Sequence, residues 1–287
     1  MLTIGLLNNM APAALPGTER QFDRILSQAA KGVHFELRRF RLAGARPLNY
    51  ETIDELWASE LDGLIVTGTE PKASALSDEP FWPALTKTIE WATRRTSSVI
   101  WSCLAAHAAV LYLDSVERKS QRAKIFGLFD SVKLTEHALM QNVQASWRVP
   151  HSRWNDLPEK ELVTSGYTLL THSGEAGADI FCKRFEKSLF VFVQSHPEYE
   201  PATLLREYRR DVARYASGQT ATAPDLPKNY FDRQFALQLQ RAEAANYSEW
   251  DNIEIRNEWE PFAVEFYHNW LNYLLTMQNE KLSMVSA

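Results

Sequence analysis

The sequence predicts an α/β fold, a mostly parallel central sheet with helices on both faces. Three observations carry that expectation. Over the first 115 residues, short apolar runs alternate with segments of helical spacing. Apart from Val33–Leu42, the runs are continuous rather than alternating, the pattern of strands buried on both sides. The chain, at 287 residues and 45% hydrophobic, is long enough to bury a sizeable core.

In order, Thr3–Leu7 ("TIGLL") reads as a short buried strand. Thr18–Lys31 has helical spacing, with Phe22, Ile25, Leu26 and Ala29 on one face. Val33–Leu42 alternates apolar and polar residues, a strand signal of period two. "ETIDELWAS" is a short helix candidate, and Asp62–Gly68 is a buried strand ending in a turn. Pro80–Arg95 reads as a helix, Ser98–Ser102 as the next strand, and an alanine-rich helix follows. The middle is richer in strand signals: "KIFGLFDSVKL", "YTLLTHSG", "ADIFCKRF" and "SLFVFVQSH". Pro201–Ala216 reads as a helix, 217–227 as a loop, and Phe231–Met277 as aromatic-rich helix. No repeat or long low-complexity tract divides the chain. A single domain over 1–287 is expected, with 217–287 as a C-terminal helical elaboration.

Bulk properties exclude several function classes. The formal net charge is −5 and no basic block or stripe is present, so nucleic acid is not an expected partner. The two cysteines, Cys103 and Cys182, form neither a disulfide framework nor a zinc-ligand spacing. They fit a reducing compartment. The N-terminal stretch lacks the basic region and longer apolar core of a signal peptide. No run reaches the ~18–20 apolar residues that span a bilayer. A cytoplasmic protein without membrane partners is expected.

Open α/β sheets gather active sites at the carboxyl ends of their strands. Three such ends carry chemistry: Thr67-Gly68-Thr69, Cys103, and His196-Pro197-Glu198. A thiol at a strand-to-helix turn sits at a helix N-terminus, whose dipole favours the thiolate. A histidine in reach would shuttle its proton, and a carboxylate behind it would fix the imidazole tautomer. Backbone N–H groups near Gly68 and Leu104 could form an oxyanion hole. A cysteine at a strand end is also an ordinary packing residue, and by pattern alone both readings stand. His107, four residues on, reads as a packed or hydrogen-bonded helix residue or as a site contact. Cys182 reads as structural.

An ordered set of motifs resembles the homoserine O-acyltransferases of the homoserine O-succinyltransferase type. The set is "IGLLNNMAP", "TERQF", "LDGLIVTG", "FWPAL" with "EWA", Cys103, "KIFGLF", "PHSR", "HPEYE", "PKNYF" and "NWLNY". The resemblance implies a class I glutamine amidotransferase-like, flavodoxin-like fold. It implies Cys103 as acyl-accepting nucleophile, His196 as general base and Glu198 as its orienting carboxylate. It also implies Lys124, Ser152 and Arg210 as substrate-binding residues, with Arg209 the adjacent competitor. No bound cofactor is implied; an acyl-CoA serves as co-substrate and a small hydroxyl-bearing molecule as acceptor. A homodimer is implied as well.

The sequence departs from that family where substrates are chosen. Leu104 follows the cysteine in place of tryptophan, and His107 takes a glutamine position. In the donor loop after Gly68 and Thr69, the position that separates acetyl from succinyl donors holds Lys72, or Ala73 if Glu70 is an insertion. Neither is acidic, so succinyl is expected over acetyl. L-Homoserine is the leading acceptor. Another hydroxyl-bearing amino acid or specialised metabolite is the alternative, with glutamine amidotransfer a more distant one.

Overall fold

The computed structural model describes residues 1–232 and 255–285. Seven strands form the central sheet: β1 (Leu2–Asn8), β2 (Phe35–Arg41), β3 (Gly63–Val66), β4 (Ser98–Ser102), β7 (Thr168–Leu169), β10 (Ile180–Phe185) and β11 (Ser188–Val193). Their order is β2-β1-β3-β4-β11-β10-β7. Neighbours from β2 through β11 are parallel, and β10 runs antiparallel to both β11 and β7. The expected alternation over the first 115 residues is present. Its helices are α1 (Leu15–Ala29), α2 (Ile53–Ala58), α3 (Trp82–Arg95) and α4 (Leu104–Asp114).

The period-two pleat sorts side chains between two layers. Leu64 and Val66 of β3, Val99 and Trp101 of β4, and Phe190 and Phe192 of β11 pack with α2, α3 and α4. Their neighbours Ile65, Ile100, Val191 and Val193 pack on the opposite face with α1 and the C-terminal helix α7 (Glu260–Val285). Phe262, Phe266, Trp270 and Leu274 of α7 lie in that second layer, and Trp270 Nε1 donates to Ser98 Oγ at 3.0 Å. The expected C-terminal helical segment thus supplies core on one face of the sheet. The part of it over 233–254 lies outside the described residues.

The middle of the chain differs from the expectation. β5 (Lys119–Lys133), β6 (Ser146–Asp156), β8 (Thr171–Ser173) and β9 (Gly177–Ala178) form a second, antiparallel sheet in the order β6-β5-β8-β9. "YTLLTHSG", read as one strand, is two strands in different sheets. The break falls at Leu170, whose N–H donates across to Ile180 O at 2.8 Å. β6, which carries "PHSR", was not anticipated as a strand. Helix α5 (Glu159–Thr164) follows β6, and α6 (Thr203–Ala216) covers β5 through Leu204, Leu205, Phe126 and Leu128 and meets β6 through Glu207 on Ser152. That packing brings a second layer of side chains over the carboxyl ends of β4 and β11.

Candidate active site

Cys103 stands between β4 and α4. Its backbone has φ 52° and ψ −115°, a region that L-residues rarely occupy and that costs on the order of 1–3 kcal/mol. Its N–H donates to Val193 O at 2.7 Å, which ties the end of β4 to the end of β11. The turn therefore holds the thiol, half-buried, at the N-terminus of α4. Gly68 approaches the same helix end. A Cβ added there would lie 2.9 Å from Leu104 N and 3.2 Å from Ser102 O, so only glycine permits this closeness. Leu104, as the first residue of α4, has no acceptor for its N–H within the helix. The two proposed oxyanion donors are neighbours.

β11 ends at Val193, and the three following N–H groups must find partners outside the ladder. Gln194 N–H donates to Asp179 O (3.0 Å), Ser195 N–H to Asp179 Oδ1 (2.9 Å) and His196 N–H to Pro150 O (2.8 Å). This anchoring brings His196 within electrostatic reach of Cys103, whose charge favours the imidazolium. On the other side, His196 Nδ1 meets Glu198 Oε1 at 2.8 Å. Both side chains are nearly closed to solvent, at 10% and 5% exposure, so water does not compete for that bond. Tyr199 stacks on the imidazole with ring centroids 4.2 Å apart. Burial alone would depress the His196 imidazolium; the charges of Glu198 and Cys103 outweigh it and hold His196 well above its usual value. The turn is clamped from outside by Arg24, which donates to Glu198 O and Tyr199 O, and by Trp259 Nε1 on Tyr199 O at 3.0 Å.

The implied substrate residues lie across α6. Lys124 Nζ is 2.9 Å from Asp211 Oδ2 and 3.8 Å from Glu207 Oε2, the partners that a mostly buried lysine requires. Ser152 Oγ donates to Glu207 Oε2, and Tyr199 OH donates to Glu207 Oε1 at 2.6 Å. Glu207 thus links Ser152 to the tyrosine stacked on His196. Arg210 is exposed and pairs with Asp211 Oδ1 through Nε at 2.9 Å. Arg209 is partly buried on the same helix. In the donor loop, the N–H groups of Lys72 and Ala73 both donate to Glu79 Oε1. Glu79 itself is buried, whereas Lys72 is exposed.

His107 is a buried, hydrogen-bonded helix residue: its Nε2 lies 2.7 Å from Gln194 Oε1. Burial, with Arg153 nearby, depresses it to about 3, so the ring is neutral. Gln194 Nε2 donates to Ala178 O at 2.6 Å and to Asp156 Oδ1 at 3.2 Å. His151 is fully buried with its ring edge-on to Phe129, and neither ring nitrogen has a hydrogen bond among the described residues. Burial, then Arg153 and His196, keep it neutral. Cys182 is structural; burial pushes its thiol up to about 12. Sequence reasoning missed Asp179, Glu207, Asp211, Tyr199 and Gln194. Three of them left a signal: Asp179 is a lone acid opening the apolar run "DIFC", and Glu207 and Asp211 are spaced i, i+4 on one helix face.

Comparison with known proteins decides the family. A family model described as homoserine O-succinyltransferase matches residues 1–281. The chain belongs to the homoserine O-succinyltransferase family. It is an acyltransferase by that membership. A homoserine O-succinyltransferase of Rhodopseudomonas palustris is 44% identical over 256 residues, covering 85% of this chain and 76% of the relative. One of Bradyrhizobium japonicum is 47% identical over 240 residues, covering 80% and 74%. The fold recurs in glutamine amidotransferases. One from Methylobacillus flagellatus superposes with a TM-score of 0.59 at 15% identity, covering 95% of this chain and 94% of that one. One from Thermotoga maritima gives 0.52 at 13% identity, covering 96% and 99%. No helix among the described residues is long and apolar enough to cross a membrane.

Proposed function

We propose that this member of the family transfers a succinyl group from succinyl-CoA to the hydroxyl of L-homoserine through an acyl-Cys103 intermediate. The observation that carries the reading is the turn at Cys103, with His196 beside it and Glu198 behind. The Cys103 sulfur attacks the thioester carbonyl carbon, the bond from that carbon to the CoA sulfur breaks, and His196 gives the leaving thiolate its proton. The acyl group remains activated, because one thioester has replaced another. The homoserine hydroxyl oxygen then attacks the same carbon, His196 takes the hydroxyl proton, and the Cys103 sulfur leaves. The amides near Gly68 and Leu104 would stabilise the oxyanion of both steps.

The acceptor reading is supported by paired charges beside His196. An amino acid presents a carboxylate and an ammonium. Lys124 and Arg210 offer cations to the first, and Glu207 and Asp211 offer carboxylates to the second. The donor reading rests on Lys72 and Ala73, which put no acid at the donor-selecting position of the loop.

The test is intact-mass analysis after mixing with succinyl-CoA, followed by addition of L-homoserine. The expected result is a succinyl adduct on Cys103 that discharges onto homoserine. Absence of an adduct with succinyl-CoA and acetyl-CoA alike would overturn the reading. Discharge onto a different alcohol, but not homoserine, would move the acceptor. Glutaminase turnover without an adduct would place the protein with the enzymes whose fold it shares.

A further inference from the structure

We propose that Arg118 binds the free carboxylate of a dicarboxylic acyl group while that group is carried on Cys103, and so selects the donor. The inference rests on the acyl-Cys103 reading above and deepens it.

Chain geometry brings Arg118 back to the nucleophile. Helix α4 starts directly after Cys103 and has 11 residues, so it carries the chain roughly 16 Å away. Ser115 ends the helix in a left-handed conformation, φ 56° and ψ 26°. The three steps from Ser115 to Arg118 can span up to ~11 Å, about two-thirds of the helix just descended. Val116 packs in the same buried cluster as Leu104, Ala105 and Ala108. Lys119, the next residue, is then in register with Asp156. The Asp156 carboxylate accepts from Gln194, and Gln194 holds His107, one turn into α4. Arg118 is therefore level with the first turn of the helix that Cys103 begins.

Arg118 is half-buried and makes no hydrogen bond or ion pair among the described residues, and its guanidinium nitrogens remain open to solvent and so to a ligand. Two other arginines differ, one fully buried and one half-buried. Arg153 is paired with Asp156 at 3.0 Å and Arg214 with Glu70 at 2.9 Å. The charged groups facing Arg118 are Glu79 and Cys103. Burial lowers Arg118 more than these two raise it, so its charge is under-compensated. Glu79 Oε1 is already occupied by the N–H groups of Lys72 and Ala73. His107, also within its field, is neutral.

Arg118 thus stands within electrostatic reach of Cys103 and of Glu79, with its hydrogen-bonding capacity unspent. A guanidinium fork matches a carboxylate in two parallel hydrogen bonds. A succinyl group on Cys103 ends in such a carboxylate, and an acetyl group does not. A CoA phosphate has the same anionic chemistry, so the test separates the two anions. Butyryl-CoA has the same four-carbon chain and the same CoA as succinyl-CoA but lacks the acyl carboxylate.

The experiment compares second-order rates of Cys103 acylation by succinyl-CoA and butyryl-CoA, read by quenched intact mass, in the wild type and in Arg118→Gln and Arg118→Lys. The succinyl-to-butyryl rate ratio is expected to fall roughly 10- to 100-fold in Arg118→Gln. Arg118→Lys, which keeps the charge without the fork and serves if the glutamine variant does not fold, should fall between the two. An unchanged ratio overturns the proposal. Equal losses on both donors would then assign Arg118 to the CoA phosphates or to the charge on Cys103. If the wild type is acylated by neither donor, the underlying reading fails first and this inference with it. Normal acylation of the wild type with an unchanged ratio in both variants removes only Arg118.

Discussion

Glu198→Gln tests the triad most directly, because it keeps the size of the side chain and an acceptor oxygen while removing the charge. The bond at stake is 2.8 Å long and lies where solvent cannot replace it. A hydrogen bond to a charged group contributes ~1.5–3 kcal/mol and a neutral one ~0.5–1.5 kcal/mol. The lost charge assistance is therefore ~1–2 kcal/mol, or about 5- to 30-fold in the rate of Cys103 acylation. A tautomer change at His196 would add to that loss. The pH dependence shifts as well. Burial opposes the His196 imidazolium, and the charge of Glu198, with that of Cys103, more than restores it. A histidine raised in the folded state contributes stability that is full below its unfolded value of ~6.5 and is lost as pH rises through the folded value. Without the Glu198 charge the folded value falls, so this loss begins at lower pH. Rapid-quench mass spectrometry reads the rate, and thermal midpoints from pH 5 to 9 read the edge. A variant with wild-type acylation and the wild-type pH edge would refute the assignment of Glu198 as the orienting carboxylate.

Gly68→Ala places a Cβ 2.9 Å from Leu104 N, so acylation should fall on the order of 100-fold, and an unaltered rate would remove Gly68 from the oxyanion hole. Asp179→Ala strands the buried Ser195 N–H and should cost ~1–3 kcal/mol in denaturant unfolding, whereas Asp179→Asn keeps the acceptor. Burial holds the Asp179 carboxyl above its usual range, so the wild type loses stability as pH rises through that raised value. Asp179→Asn should lack this loss, read as a flatter thermal midpoint against pH; a parallel profile would contradict it. His107, depressed to about 3, should show no ring titration between pH 5 and 8 by NMR. Its replacement by alanine should destabilise the fold by ~1–3 kcal/mol through the unpaired Gln194 oxygen.

The parallel half of the fold was legible because its strands are buried on both faces. β3 and β4 read as unbroken apolar runs, and α1 and α3 show one apolar face each. The second sheet was not. β6 reads "SWRVPHSRWND", where three arginine or histidine side chains and Pro150 interrupt the apolar pattern. Arg153 and His151 are buried there all the same, which no local pattern announces. Leu170 gives no sign in its neighbourhood that the chain changes sheets.

The sequence by itself put Cys103 and His196-Pro197-Glu198 at the carboxyl ends of two strands, and a parallel sheet brings such ends to one edge whatever the connections between them. It also placed Lys124 in an apolar strand and so required a partner for it. Only the tertiary structure decided which partner. Asp211 is 87 residues away and reaches Lys124 because α6 packs across β5 and β6. The same holds for Asp179 under Ser195 and for the return of Arg118 to the start of α4. These contacts depend on register and crossing geometry set by the packed core as a whole, and a local window of sequence does not contain that information.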